Sequence, residues 1–218
     1  MRSILPVLLA MALASASTAS AQPRGTVIDS ASTGSRQGRE VSIAGARRLP
    51  LGTTVTVTGY VTVPSGMIDA GFAVSDGDNG IYVDADSALR LDTEAVRVTG
   101  RLAEIHGLLS IVPSSVEAHS YHSCSIYPIP EVATGSVSEA TEGKTILTGG
   151  TMIGEVVDDR SHGRKITIDD GSGPLLVFIP AAAKIDVSRF RAGQRLRILG
   201  FSGQYDDHYE IILDSKRD

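Results

Sequence analysis

Gly52-Thr-Thr-Val-Thr-Val-Thr-Gly59 and Gly143-Lys-Thr-Ile-Leu-Thr-Gly-Gly150 are two versions of one phrase, and their recurrence decides the architecture. More of the chain repeats in the same order. Phe72-Ala-Val-Ser-Asp-Gly-Asp-Asn-Gly80 answers to Ile166-Thr-Ile-Asp-Asp-Gly-Ser-Gly173, Val96-Arg-Val-Thr-Gly100 to Leu196-Arg-Ile-Leu-Gly200, and Leu109-Ser-Ile-Val112 to Tyr209-Glu-Ile-Ile212. A pattern that returns in order marks a duplicated structural unit.

Each unit reads as strands. Val55, Val57 and Val61, then Val96 and Val98, alternate with Thr and Arg at the period of a half-buried strand. Gly59 and Gly150 fall inside long first strands, where glycine marks a bulge or sharp bend. A small barrel needs such a bend, because its first strand must coil round to pair on both sides. Gly100 and Gly200 suit the same purpose in the fourth strand, and the segments Asp76 to Gly80 and Asp170 to Gly173 are hairpin turns between strands two and three.

These residues resemble the OB (oligonucleotide/oligosaccharide-binding) fold, a five-stranded Greek-key barrel, as found in tandem in exported bacterial proteins. The lead-in Ala46-Arg-Arg-Leu-Pro-Leu-Gly52 and the pair Glu142-Gly143 resemble the starts of such modules. The resemblance implies an all-β protein of two tandem OB-type barrels, at 41–118 and 132–218, joined by a linker at 119–131 that Pro128 and Pro130 stiffen. The pattern departs before strand four, where copy two has Ala192-Gly193-Gln194 and copy one Leu91-Asp92-Thr93-Glu94, so any helix there is expected to be short.

The N-terminus reads as a secretory signal over 1–21. Arg2 supplies the positive start, Ile4 to Ala14 is an apolar run, and Ala19-Ser20-Ala21 is a small-residue cleavage box before Gln22. The run is too short for a permanent membrane span, so the mature chain is expected to be unanchored, either periplasmic or secreted. Residues 22–40, rich in Ser, Gly and Thr, form a flexible lead-in. The lone cysteine, Cys124, cannot form an internal disulfide, which leaves stability to the barrel cores.

The net charge is −5, and loss of the signal, whose one charge is Arg2, makes it −6. That balance is unlike the basic one of a general nucleic-acid binder. The resemblance nevertheless implies ligands such as single-stranded nucleic acid or polysaccharide, held across strands two and three and the flanking loops. In copy two those positions are a first loop from Asp158 to Lys165, with Arg160, His162, Arg164 and Lys165, and a second from Gly203 to His208, with Tyr205 and His208. Alternation sends Lys165, Thr167, Leu176 and Phe178 outward, and Phe178 and Tyr205 are stacking candidates beside those cations. Copy one offers Tyr82 as its outward aromatic, near Asp84 and Asp86. In the rival reading the outward apolar residues bury against a partner protein of the cell envelope or against the sister barrel.

His119, His122 and Cys124 form a His-x-x-His-x-Cys group that could ligate zinc or copper, although a closed structural site needs a fourth ligand. The turn Asp76-Gly-Asp78-Asn79-Gly80 lacks the ligand spacing of an EF-hand and reads as a plain hairpin. No Gly-x-Ser-x-Gly elbow is present. The expectation is a non-enzymatic binding or accessory module that needs no cofactor.

Overall fold

A computed structural model describes residues 38–86, 95–119 and 128–213. The signal, most of the lead-in, and His122 and Cys124 of the metal-ligand group lie outside them. His119 is described, and its backbone N–H donates to the Ala95 carbonyl. Among the described residues no three His, Cys, Asp or Glu side chains are grouped as a metal site, and no helix is long and apolar enough to cross a membrane.

The first barrel opens with a two-residue strand, β1 (Arg39–Glu40), and one helical turn, α1 (Ile43–Ala46). Its five barrel strands are β2 (Thr54–Val63), β3 (Phe72–Ser75), β4 (Gly80–Val83), β5 (Ala95–Ile105) and β6 (Leu108–Ala118). The last two residues of the expected flexible lead-in are therefore paired. Arg39 and Glu40 run parallel to β2, and both carboxylate oxygens of Glu40 accept from Arg97. The second barrel consists of β7 (Thr145–Asp159), β8 (Gly163–Asp169), β9 (Leu175–Pro180), β10 (Arg195–Tyr205) and β11 (His208–Ile212).

Both barrels close by the same circuit. The first strand pairs with the second and the fourth, and the third pairs in parallel with the fifth. This is the OB-type order, and the protein is an all-β tandem of two such barrels. The mid-strand glycines stand where the first strand changes partners. Gly59 pairs with Val96 of β5, and its neighbour Tyr60 already pairs with Ser75 of β3. Gly150 pairs with Leu196 of β10, and Thr151 already pairs with Asp169 of β8. Between β9 and β10 only one short 3-10 turn, Ala181–Ala183, occurs, so the altered turn at Gly193 leaves no longer helix. The corresponding stretch of copy one, 87–94, lies outside the described residues.

Each barrel has its own core, around Phe72, Ile81, Leu102 and Ile111 in the first and Ile146, Ile166, Ile168 and Ile211 in the second. The expectation of two self-contained cores omits a third cluster at the joint. Val63, Ala73, Tyr82 and Leu108 of the first barrel pack there with Phe201 and Ile212 of the second, and Met67, Ile68 and Phe178 lie against them. The second copy's lead-in completes the joint. Glu142, whose side chain is 0% exposed, accepts from Arg47 (3.0 Å) and from the Leu109 backbone N–H (3.3 Å). The backbones of Gly80 and Gly143 approach so closely beside it that no side chain fits between them.

Candidate functional site

The outer face of the second barrel is laid out by strand register, because residues paired across a sheet point to the same side. One transverse row runs Ile153, Thr167, Leu176, Glu210, Gly203. The next runs Val157, Lys165, Phe178, Ile212, Phe201. The expected alternation holds: Ile166 and Ile168, and Leu175, Val177 and Ile179, are buried, whereas Lys165, Thr167, Leu176 and Phe178 are half-buried on the outer side.

The second row is covered at one end and open at the other. Phe201 and Ile212 are buried under the first barrel, and Phe178 packs beside them. Val157 is 59% exposed, and Ile153 in the first row is 45% exposed. Both flank a bulge at residues 154–156, where the register of β7 against β8 shifts and Gly154 takes φ +75°. The bulge carries the long β7–β8 hairpin beyond the part of β7 that pairs with β10, which ends at Thr151.

Several expected ligand groups are placed differently from the sequence reading. The first loop, expected over Asp158 to Lys165, shrinks to the turn Arg160–His162, because β7 and β8 extend almost to its tip. Arg160 and His162 are exposed there. Arg164 and Lys165 are on β8 and are not free cations. Arg164 pairs with Asp158 at 3.0 Å and Lys165 with Asp159 at 2.8 Å. That hydrogen bond raises the Lys165 pKa and lowers that of Asp159. Lys165 also lies 5.8 Å from the Phe178 ring centroid. Phe178 is thus flanked by Lys165 and the joint, and is not the open stacking platform expected.

Tyr82 is likewise not outward to solvent. It is buried in the joint, donates its hydroxyl to the Ile68 carbonyl, and has its ring centroid 6.2 Å from that of Phe201. Burial pushes its phenol pKa up. Alternation had correctly placed it on the outer side of its strand, but the second barrel covers that side.

The second expected loop, Gly203 to His208, is also mostly strand, with a two-residue turn at Asp206 and Asp207. Its tip meets the matching hairpin tip of the first barrel. His106 Nδ1 lies 3.0 Å from Asp206, and the Asp206 N–H donates to the His106 carbonyl at 2.6 Å. Tyr205 stacks on the His106 ring at 4.9 Å and 12° and remains 47% exposed. His208, directly opposite Tyr205, turns its Nε2 toward Glu210 at 3.8 Å.

Glu210, to which the sequence pattern assigns no role, also lies on this outer face. Its side chain is 6% exposed, and burial raises its pKa. A lone acid in the run Tyr209-Glu-Ile-Ile212 was the available signal.

No protein-family model matches the chain, and no curated protein matches it in sequence. Solved structures similar to it include the crystal structure of the p204 HINb domain (13% identity, 74% of this chain and 93% of that one, TM-score 0.34). Another is a murine DNA-binding protein bound to double-stranded DNA (10% identity, 72% and 92%, TM-score 0.35). A third is the Ifi202 HINa domain in complex with 20-bp double-stranded DNA (13% identity, 75% and 93%, TM-score 0.34). Identities and TM-scores this low carry no information on the ligand of the present chain.

Proposed function

We propose that the protein is a non-enzymatic binding module that docks a polypeptide across the outer face of its second barrel. The observation that carries this reading is the apolar face itself. Ile153 and Val157 stand exposed beside half-buried Leu176, next to cations already neutralised by acids. Apolar surface left open at a sheet face, rimmed by polar groups, marks an interaction site. A nucleic-acid face would need Arg164 and Lys165 free to meet phosphates, and Phe178 free to stack a base.

The test is a random dodecapeptide library displayed on phage. Wild-type protein is expected to enrich binders that the double variant Ile153→Ser/Val157→Ser does not retain. Binders retained equally by both proteins, or none at all, would remove the docking face. An oligonucleotide titration at low salt decides the rival. The expected result is no binding at tens of micromolar protein, of the order of nonspecific affinities. Binding whose logarithm falls with log salt at about −0.7 per phosphate contact would install the nucleic-acid reading instead.

We further propose that the module acts outside the cytoplasm, on the strength of Arg2, the apolar run from Ile4 to Ala14 and the Ala19-Ser20-Ala21 box. Mass spectrometry of exported protein is expected to find Gln22, or its cyclised form, as the first residue. An intact Met1 on exported material would overturn this.

A further inference from the structure

We propose that Glu210 is the receptor for a cationic side chain, arginine or lysine, of the docked polypeptide. The inference rests on the docking face proposed above and specifies what that face recognises. Glu210 sits in the first transverse row, next to Leu176 on one side and Gly203 on the other. Gly203 has no side chain, so the carboxylate has no cross-strand neighbour there to bond it. Among the described residues Glu210 accepts no hydrogen bond, and its nearest charged contact is His208 Nε2 at 3.8 Å. A side chain only 6% exposed whose carboxylate accepts no protein hydrogen bond depends on the little water and the weak charge contact it still reaches, and a docked cation can replace both.

The local charge specifies the missing partner. Lys165 is the nearby cation, and it is committed to Asp159 at 2.8 Å. Asp158 and Asp159 are each paired with a cation, which leaves Glu210 without a lysine or arginine ion pair. An acid so placed attracts a cation and repels a phosphate. Tyr205 adds a preference of geometry. It lies on the same side of the sheet as Glu210, diagonal to it through the His208 pairing. His106 stacks on its ring and His208 lies tilted against it at 6.2 Å, and the residue is still 47% exposed. A guanidinium or ammonium reaching Glu210 can lie against that ring, and guanidinium does so best. The burial that raises the Glu210 pKa also makes an incoming cation more effective, because little water screens the pair.

The sequences of the peptides selected above are the test. They are expected to carry an arginine or lysine beside apolar residues. For one arginine-containing binder, replacing arginine by the uncharged isostere citrulline should weaken binding to the wild type by about tenfold or more. With Glu210→Gln the same replacement should matter by less than about twofold, while the citrulline peptide still binds and so reports an intact fold. Binders without a basic residue, or an equal loss on Glu210→Gln, would overturn the role of Glu210 and leave the docking face standing. Selection that is indifferent to Ile153→Ser/Val157→Ser would remove the docking face and this inference with it.

Discussion

Arg47→Ala is expected to destabilise the protein by about 3–5 kcal/mol at pH 8, the cost of leaving a buried charge without its partner. Arg47 Nη2 bridges Glu139 at 2.6 Å and Glu142 at 3.0 Å, and its side chain is only 12% exposed. Glu139 is at the surface and tolerates the loss. Glu142 does not, because its Oε1 would keep only the Leu109 N–H and its Oε2 has no partner among the described residues. The penalty should depend on pH. Burial raises the Glu142 pKa, and the charge and hydrogen bond of Arg47 oppose that rise. Removing Arg47 therefore raises it further. A folded-state pKa above the unfolded one gives stability that is fully present below the unfolded value and lost as pH rises through the folded one. The variant can thus protonate Glu142 and recover at mildly acidic pH, so its deficit should be smaller at pH 5.5 than at pH 8. Glu210, also raised, behaves with the same sign in both proteins. Asp159 and Asp170, whose pKa values are lowered, lose their contributions only at more acidic pH. Denaturant unfolding at the two pH values measures the effect. Equal stability of variant and wild type at pH 8 would show that this ion pair does not hold the joint.

Gly150→Val is expected to cost about 3 kcal/mol or more, at the upper end for overpacking a tight site. A Cβ at Gly150 would lie 2.7 Å from the Asp169 carbonyl carbon, 2.8 Å from its oxygen and 2.9 Å from its nitrogen. These are backbone atoms of β8 held in the ladder, so no rotamer change relieves the contact. Relief requires separating β7 from β8 where β7 passes from one partner to the other. For a cooperative unit of this size the Tm should fall by about 6–12 °C. Gly59→Val repeats the experiment in the first barrel, where the Ser75 carbonyl oxygen would lie 2.5 Å from the new Cβ. An unchanged Tm in thermal unfolding by circular dichroism would disprove the assigned bends.

The two barrels were legible because their signals are local. Alternating Val and Ile at period two, the Asp-Gly turns and glycines at matching positions in both copies define strands, hairpins and bends without reference to anything distant. Gly59 and Gly150 were readable as bends because closing a barrel demands close backbone approach at the point where its first strand changes neighbours. The inward and outward sets of β8 and β9 followed from the same alternation.

What covers an outward residue is a different matter, since period two separates two faces and says nothing of their surroundings. Tyr82 and Phe178 were correctly placed on outer faces, yet the joint buries the first and half-buries the second. Asp158 and Asp159 lay beside the cations in the sequence, but only the tight β7–β8 hairpin set Asp158 opposite Arg164 and Asp159 diagonal to Lys165, within ion-pair reach. Arg47 and Glu142 each belonged to a recognised lead-in motif, and they are 95 residues apart. Their meeting was decided by the packing of one barrel on the other. Glu210 became a candidate receptor through the register within the second barrel that sets Leu176 and Gly203 on either side of it. Sequence alone thus determined the core strands, their bends and the closure of each barrel, because short-range sterics and hydrophobic period dictate them, but not how far the strands extend into the expected loops. Only the tertiary structure decided the site, because burial and charge pairing there arise between segments far apart in the chain.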